Sequence, residues 1–375
     1  MLNSIKSKLI LKNIFKIIGK KAYLDILKYN KNIKSKLGLS LESYQEYYNQ
    51  IEIEIIPVKS NSENKIEFIN NININYKVYF KSSFDTEERN YFYEKENLSK
   101  ISILITNKEE TSSLFGLFQN CQCLKEVKII HCSKNYLTNI AEMFIGCKSL
   151  ISVDISRLKA DNINDMSFLF AMCPSLKLIQ LPKINGDNLV NMEHMFAYCS
   201  SLEKIDLSNL KTDKVTNMKG LFTGCTSLKD INLSNLKTNN VTNMDNLFNN
   251  CHLLNKIYLS HFNTEKVVTM SGMFNGCSSL DKLNISNFNT KSVRYMSNMF
   301  ANCSSLKQLN LGNFNTNNLE TMWNMFYNCS SLAHLDVSKF NLSKCESKNG
   351  AFLNCSEQLK QEVKKQNKYL TKEAF

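Results

Sequence analysis

Thirteen cysteines are the residues best able to do chemistry in this chain of 375. Thiols can ligate a metal, shuttle electrons or close disulfides, and spacing decides among these uses. A zinc site wants paired C-x2-C or C-x2-4-C knuckles, and the nearest approach, Cys121-Gln122-Cys123, is a poor one. Ten of the thirteen instead follow one another every 26 residues: Cys121, Cys147, Cys173, Cys199, Cys225, Cys251, Cys277, Cys303, Cys329 and Cys355. A thiol at one fixed place, preceded by Phe and usually followed by a Ser and a Leu, reads as a small buried hydrophobe. The five His (His131, His194, His252, His261, His334) share no metal or triad spacing, and no H-E-x-x-H, P-loop or G-x-G-x-x-G occurs. No catalytic residue, cofactor or metal is therefore expected, and the chain is read as a non-enzyme.

A fixed period between 20 and 50 residues signals a repeat architecture. Counting from each Cys, Leu or Ile stands at +3, +6 and +8, as in Leu202, Ile205, Leu207 and Leu306, Leu309, Leu311. That is the L-x-x-L-x-L strand signature of a leucine-rich repeat. Apolar residues follow at +11, +16, +19, +22 and +23, with Met at +19 and Phe at +23 from Phe118 to Phe352. The later positions have helical spacing, with Thr216 and Thr242 as candidate N-caps. The expected fold is an α/β repeat solenoid: a leucine-rich-repeat-like parallel β-sheet with short helices on the convex side. Leu98, Ile101 and Ile103 extend the register backwards, so ten strands are expected from about residue 98 to 337. Leu or Phe at +11, where Asn is commoner, predicts loops pinned by apolar packing and not by an Asn ladder.

The string M-F-x-x-C-S-S-L-x-x-L-x-[LI]-S-N-F-x-T-x-x-V-x-x-M, as in Met273–Met296, resembles the BspA-like leucine-rich repeat family. The resemblance implies a surface or adhesive protein. The run from Leu9 to Lys31 resembles the start of an F-box-like helical module, which implies recruitment of a ubiquitin-ligase scaffold.

The sequence divides into a helical N-terminal segment, 1–50; a β-rich capping region, 51–97; the repeat solenoid, 98–355; and a C-terminal helical cap, 356–375. Ile51, Ile53 and Ile55 alternate with Glu52 and Glu54, as strands do. Terminal repeats need such shields over their exposed core. Hydrophobic residues at 43%, with eleven Gly and three Pro, exclude wholesale disorder. No run of about 18 apolar residues occurs, so no integral membrane segment is expected. The net charge of +12 is concentrated in residues 1–50, where ten Lys face three acids; it is too thin elsewhere to track a phosphate backbone, so no nucleic-acid partner is expected.

Function then falls to the surface. On L-x-x-L-x-L strands, +4, +5 and +7 face the concave side, and these columns vary while the core does not. Lys204, Asp206, Asp230, Lys256, Tyr258 and Lys282 form the candidate binding residues, with Tyr258, Lys256 and Lys282 the leading patch. The expected role is a protein-interaction scaffold with a protein partner, located in the cytoplasm. A secreted or surface adhesin and a ligase adaptor are the alternatives. An odd number of thiols, and N-C-S at Asn302, Asn328 and Asn354, favour the reducing compartment.

Overall fold

The computed structural model describes residues 50–59, 63–70, 76–80, 86–87, 91–93, 96, 98–106, 112–132, 137–185 and 187–375. The helical segment expected over 1–50, with its F-box-like run, lies outside these residues except for Gln50.

Alternating apolar residues build the first strand, β1 (Gln50–Pro57), whose Ile51, Ile53 and Ile55 are fully buried. Short strands follow at β2 (Lys65–Glu67), β3 (Tyr76–Phe80), β4 (Thr86–Glu87), β5 (Tyr91–Tyr93) and β6 (Ile101–Thr106). The repeats contribute β7 (Leu124–Cys132), β8 (Ser152–Asp154) and β9 (Leu178–Gln180), which join β1, β3, β4 and β6 in one sheet. Its order is β4-β3-β6-β1-β7-β8-β9. β7, β8 and β9 are parallel, one repeat apart in register. The strand carrying Ile101 and Ile103 does not pair with β7, contrary to the expected start of the parallel ladder. β1 lies between β6 and β7 and is antiparallel to both, so its isoleucines seal the end of the repeat core.

Further along, β10 (Lys204–Asp206) pairs with β11 (Asp230–Asn232), and β12 (Lys282–Leu283) with β13 (Gln308–Leu309), both in parallel. The L-x-x-L-x-L ladder is thus interrupted, not continuous over ten strands. The unbroken parallel pairing lies elsewhere, at +18, and runs repeat by repeat from Ser113 to Ser347.

The short helices expected in the second half of each repeat are absent among the described residues, and alternating hydrogen bonds replace them. Leu221, Thr223 and Cys225 donate their N–H within the repeat, to Met218, Gly220 and Phe222 carbonyls. Gly220, Phe222 and Gly224 donate to the next repeat instead, to Asp245, Leu247 and Asn249 carbonyls at 2.7, 3.0 and 2.7 Å. A helix would turn every N–H along its own axis. Here φ is +60° at Gly220 and +72° at Gly224, which swings alternate amides outward to the neighbour. A Cβ at Gly220 or Gly224 would meet the His194 or Tyr198 ring of the preceding repeat, which would have to shift. Thr216 and Thr242 accordingly cap no helix; Thr242 Oγ1 donates to the Thr216 carbonyl one repeat back.

Stacking builds the core. Phe118 to Phe352 form one column of ten fully buried rings, with centroids 5.1 to 5.8 Å apart. Phe375 continues it over Phe352 at 5.9 Å. The Met column at +19 is fully buried from Met166 to Met322. Helix α1 (Glu357–Gln366), N-capped by Ser356, buries Leu359 and Val363 against the last repeat. Beyond it, buried Asn367 donates to the Val337 and Phe340 carbonyls.

The loops are pinned by more than the apolar +11 residues. Buried Thr212, Thr238, Thr264, Thr290 and Thr316, at +13, form a hydroxyl ladder in place of the usual Asn ladder. Thr264 Oγ1 donates to the Asn289 carbonyl at 3.0 Å and accepts the Asn289 N–H at 2.8 Å. Thr264→Val keeps the shape and removes both bonds, leaving two backbone groups unpaired. A cost of about 1–3 kcal/mol is expected in urea unfolding, and an unchanged midpoint would show that the ladder contributes nothing.

Candidate functional site

All thirteen cysteines are buried and none is in a disulfide. Nine of the ten cysteines in the 26-residue series, from Cys147 to Cys355, carry a role that spacing alone did not suggest. Each Sγ donates to the carbonyl of the Phe in the preceding repeat, as Cys225 does to Phe196 at 3.1 Å and Cys251 to Phe222 at 3.2 Å. The thiol is therefore a hydrophobe that also satisfies a carbonyl. Burial pushes these thiols up, Cys225 and Cys277 to about 12 and Cys355 to about 11. A thiol held protonated is a poor nucleophile and a poor metal ligand. Cys121 departs from the pattern, with its Sγ 3.2 Å from that of Cys123. No group of three or more His, Cys, Asp or Glu is placed to hold a metal among the described residues. His252 and His261 contact the Gly276 and Leu233 carbonyls, so the histidines do not converge.

The strand face is the other candidate. Its geometry follows from the strand period: Ile205, Ile257 and Leu283 point into the core, and their neighbours at +5 and +7 point out. Lys204, Asp206, Asp230, Lys256, Tyr258 and Lys282 are all exposed, Tyr258 at 77%. The parallel register sets Lys204 beside Asp230 and Asp206 beside Asn232. Lys256 and Tyr258 stand in the gap between β11 and β12. No backbone hydrogen bond joins Lys256, Ile257 or Tyr258 to either adjacent repeat.

Two grooves open on this face. Lys256 borders a groove of about 370 Å³ with Asn255, Asp281, Lys307 and the serines Ser279, Ser305 and Ser331. Lys282 borders a larger one, of about 1040 Å³, with Asn284, Gln308, Asn310, His334, Asp336 and Glu362. The structure thus brings Lys256 and Lys282 to adjoining grooves through the shared Lys307. Lys204, Asp206 and Asp230 form a separate cluster on β10 and β11.

Sequence reasoning missed Lys307, which holds the outward +4 position, and Glu362. The outward +4 column could have found the lysine. Nothing local could have found Glu362, because α1 must first dock before its carboxylate faces the groove. It then sits 3.1 Å from His334 Nδ1 and accepts from Gln366 Nε2 at 3.2 Å. Asp336 is engaged by its own loop: the Ser338 hydroxyl and N–H donate to it at 2.6 and 2.9 Å, holding its carboxyl below the usual range.

No helix among the described residues is long and apolar enough to cross a membrane. No curated protein and no solved structure matches the chain. A family model does, three times in overlapping tandem, over residues 112–230, 138–262 and 255–366. Together those matches span every member of the Phe, Cys and Thr columns. By that coverage, the chain belongs to the family described as "Mycoplasma protein of unknown function, DUF285".

Proposed function

We propose that this chain is a non-enzymatic protein-binding scaffold, a leucine-rich-repeat-like solenoid of the BspA-like kind whose recognition surface is its strand face. The observation that carries this reading is the pairing of an invariant core with a variable outer face. Phe, Cys and Met recur with the period, while +4, +5 and +7 change from repeat to repeat and border an open groove of about 1040 Å³. Repeat proteins use such rigid, extended faces for binding, and the core takes no part in selecting the partner. The protonated thiols suit a reducing, cytoplasmic setting, which belongs to the same proposal.

Quantitative affinity purification of the full chain tests it. Asn284→Arg with Asn310→Arg places two long side chains in the larger groove without touching the core. Partners captured by the unaltered protein should fall at least tenfold on this variant. They should be retained on a variant altered at exposed Lys159 and Lys214, away from the strand columns. An identical captured set on all three proteins would remove the strand face from the reading.

A further inference from the structure

We infer that the strand face from Lys256 to His334 binds an acidic, extended peptide segment, its carboxylates taken by Lys256, Lys282 and Lys307 and an aromatic or apolar side chain by Tyr258. This deepens the protein-binding reading and rests on it.

The charge distribution is the first argument. Several lysines earlier on the strand columns already have carboxylate partners. Lys128 lies 3.2 Å from Asp154, Lys229 3.4 Å from Glu203, and Lys125 3.8 Å from Glu126. Lys256, Lys282 and Lys307 are exposed and have no carboxylate within ion-pairing distance among the described residues. They come from three successive repeats, so the parallel spacing of about 4.8 Å per repeat groups them within one short stretch of the face. Asp336 and Glu362 border only the larger groove, where they balance Lys282 and Lys307. Asp281 is the remaining exposed carboxylate bordering the smaller groove. Lys256 and Lys307 against that one acid leave the smaller groove net positive, and an anionic partner complements it.

The second argument is backbone. Lys256 and Tyr258 stand where the strand ladder is open on both sides, so their N–H and C=O groups are not engaged by neighbouring repeats. Exposed backbone groups beside a 77% exposed tyrosine suit an extended chain, which supplies its own amides and a side chain to lie on the ring. Ser279, Ser305 and Ser331 add hydroxyl donors along the smaller groove. A lysine cluster without phosphate-directed arginines, spread over three repeats, matches separate carboxylates better than a continuous phosphate backbone.

The test is fluorescence anisotropy on the full chain, with labelled decapeptides of alternating Glu and Ser, Gln and Ser, or Lys and Ser, and a single-stranded oligonucleotide of ten bases. The Glu peptide should bind, and the Gln and Lys peptides should bind at least tenfold more weakly. Raising salt from about 50 to 300 mM should weaken the Glu peptide severalfold, because these charges are solvent-exposed. K256E/K282E/K307E should abolish binding, and Tyr258→Ala should weaken it about three- to tenfold. K159E/K214E/K237E carries the same charge change on exposed lysines off this face and should bind as the unaltered chain does. Equal binding of the Gln peptide, preference for the oligonucleotide, or equal loss in both triple variants would overturn the proposal. If partners are captured through the Asn284 and Asn310 groove while the Glu peptide fails to bind, the peptide proposal falls and the scaffold reading stands. If that capture fails too, both fall.

Discussion

Raising the pH through the range where a free thiol ionises is expected to unfold the repeat stack over a narrow interval. The sign follows from where the protons sit. Nine thiols, from Cys147 to Cys355, have their pKa raised by burial in the folded chain, in three cases to about 11 or 12. In the unfolded chain they ionise near about 8.5. The neutral thiol is the form the fold keeps, so this stability is fully present below pH 8.5. It is lost as pH rises from there toward the folded values. Each such thiol removes about 1.4 kcal/mol per pH unit. Nine together remove on the order of 12 kcal/mol per unit, comparable to the whole stability of about 5–15 kcal/mol that a protein holds. Circular dichroism from pH 7 to 11 should therefore show a cooperative loss between about pH 9 and 10. Cys225→Ala should make the fall shallower by about 1.4 kcal/mol per unit while costing some stability at neutral pH. A chain that stays folded and equally resistant to urea at pH 10.5 would mean that these thiols are not held protonated by the fold.

Burial alone produces this behaviour, and burial is the part of the cysteines' role that was legible in the sequence. The 26-residue period fixed which residues are buried: Phe222, Met218, Leu228 and Cys225 all lie in the core. What they do there needed coordinates. A small apolar residue would fill the Cys225 site, but only a thiol also donates to the Phe196 carbonyl. Likewise Met218, Leu221, Phe222 and Cys225 have the i, i+3, i+4, i+7 spacing of a helix, and the turn ladder shows the same spacing. The distinguishing signal was the pair Gly220 and Gly224, with Gly272 and Gly276 and the asparagines Asn246 and Asn250 at the same offsets, all at positive φ. Residues that tolerate the left-handed region, recurring every four positions, argue against a helix.

The threonine ladder was visible as the N-F-N-T motif, yet a buried Thr looks like a loop residue until its partner one repeat away is known. The place of β1 was not legible at all. Alternation gave Ile51, Ile53 and Ile55 a strand, but its insertion between β6 and β7 depends on long-range pairing that no local pattern encodes. The binding face divides the same way. Lys256 and Lys282 follow from outward alternation, whereas their grouping with Lys307 and the wall made by Glu362 depend on stacking and on the docking of α1.

Phe222→Ala is expected to cost about 3–5 kcal/mol, because the ring is fully buried and the site cannot collapse around the loss. Its neighbours, Phe196 and Phe248, stack on it at 5.5 and 5.7 Å with interplanar angles of 3° and 5°. Their positions are fixed by backbone bonds that do not involve the ring. Phe196 N–H reaches the Leu221 carbonyl at 3.0 Å, and Phe222 N–H reaches that of Leu247 at 3.0 Å. The ladder therefore holds the repeats apart at their native spacing, and the cavity remains. Phe222→Leu should cost less, since it refills part of the space. Because each repeat touches only its neighbours, the damage should be local. Combining Phe222→Ala with Phe248→Ala should give a cost that departs from the sum of the two, whereas Phe222→Ala with Phe326→Ala should add. Urea unfolding of these variants, with Phe248→Ala and Phe326→Ala as the remaining single changes, measures all of this. A single-variant cost under about 1 kcal/mol would contradict a packed aromatic column. Equal coupling at both separations would mean that the stack unfolds as one rigid body and not as a chain of neighbour contacts.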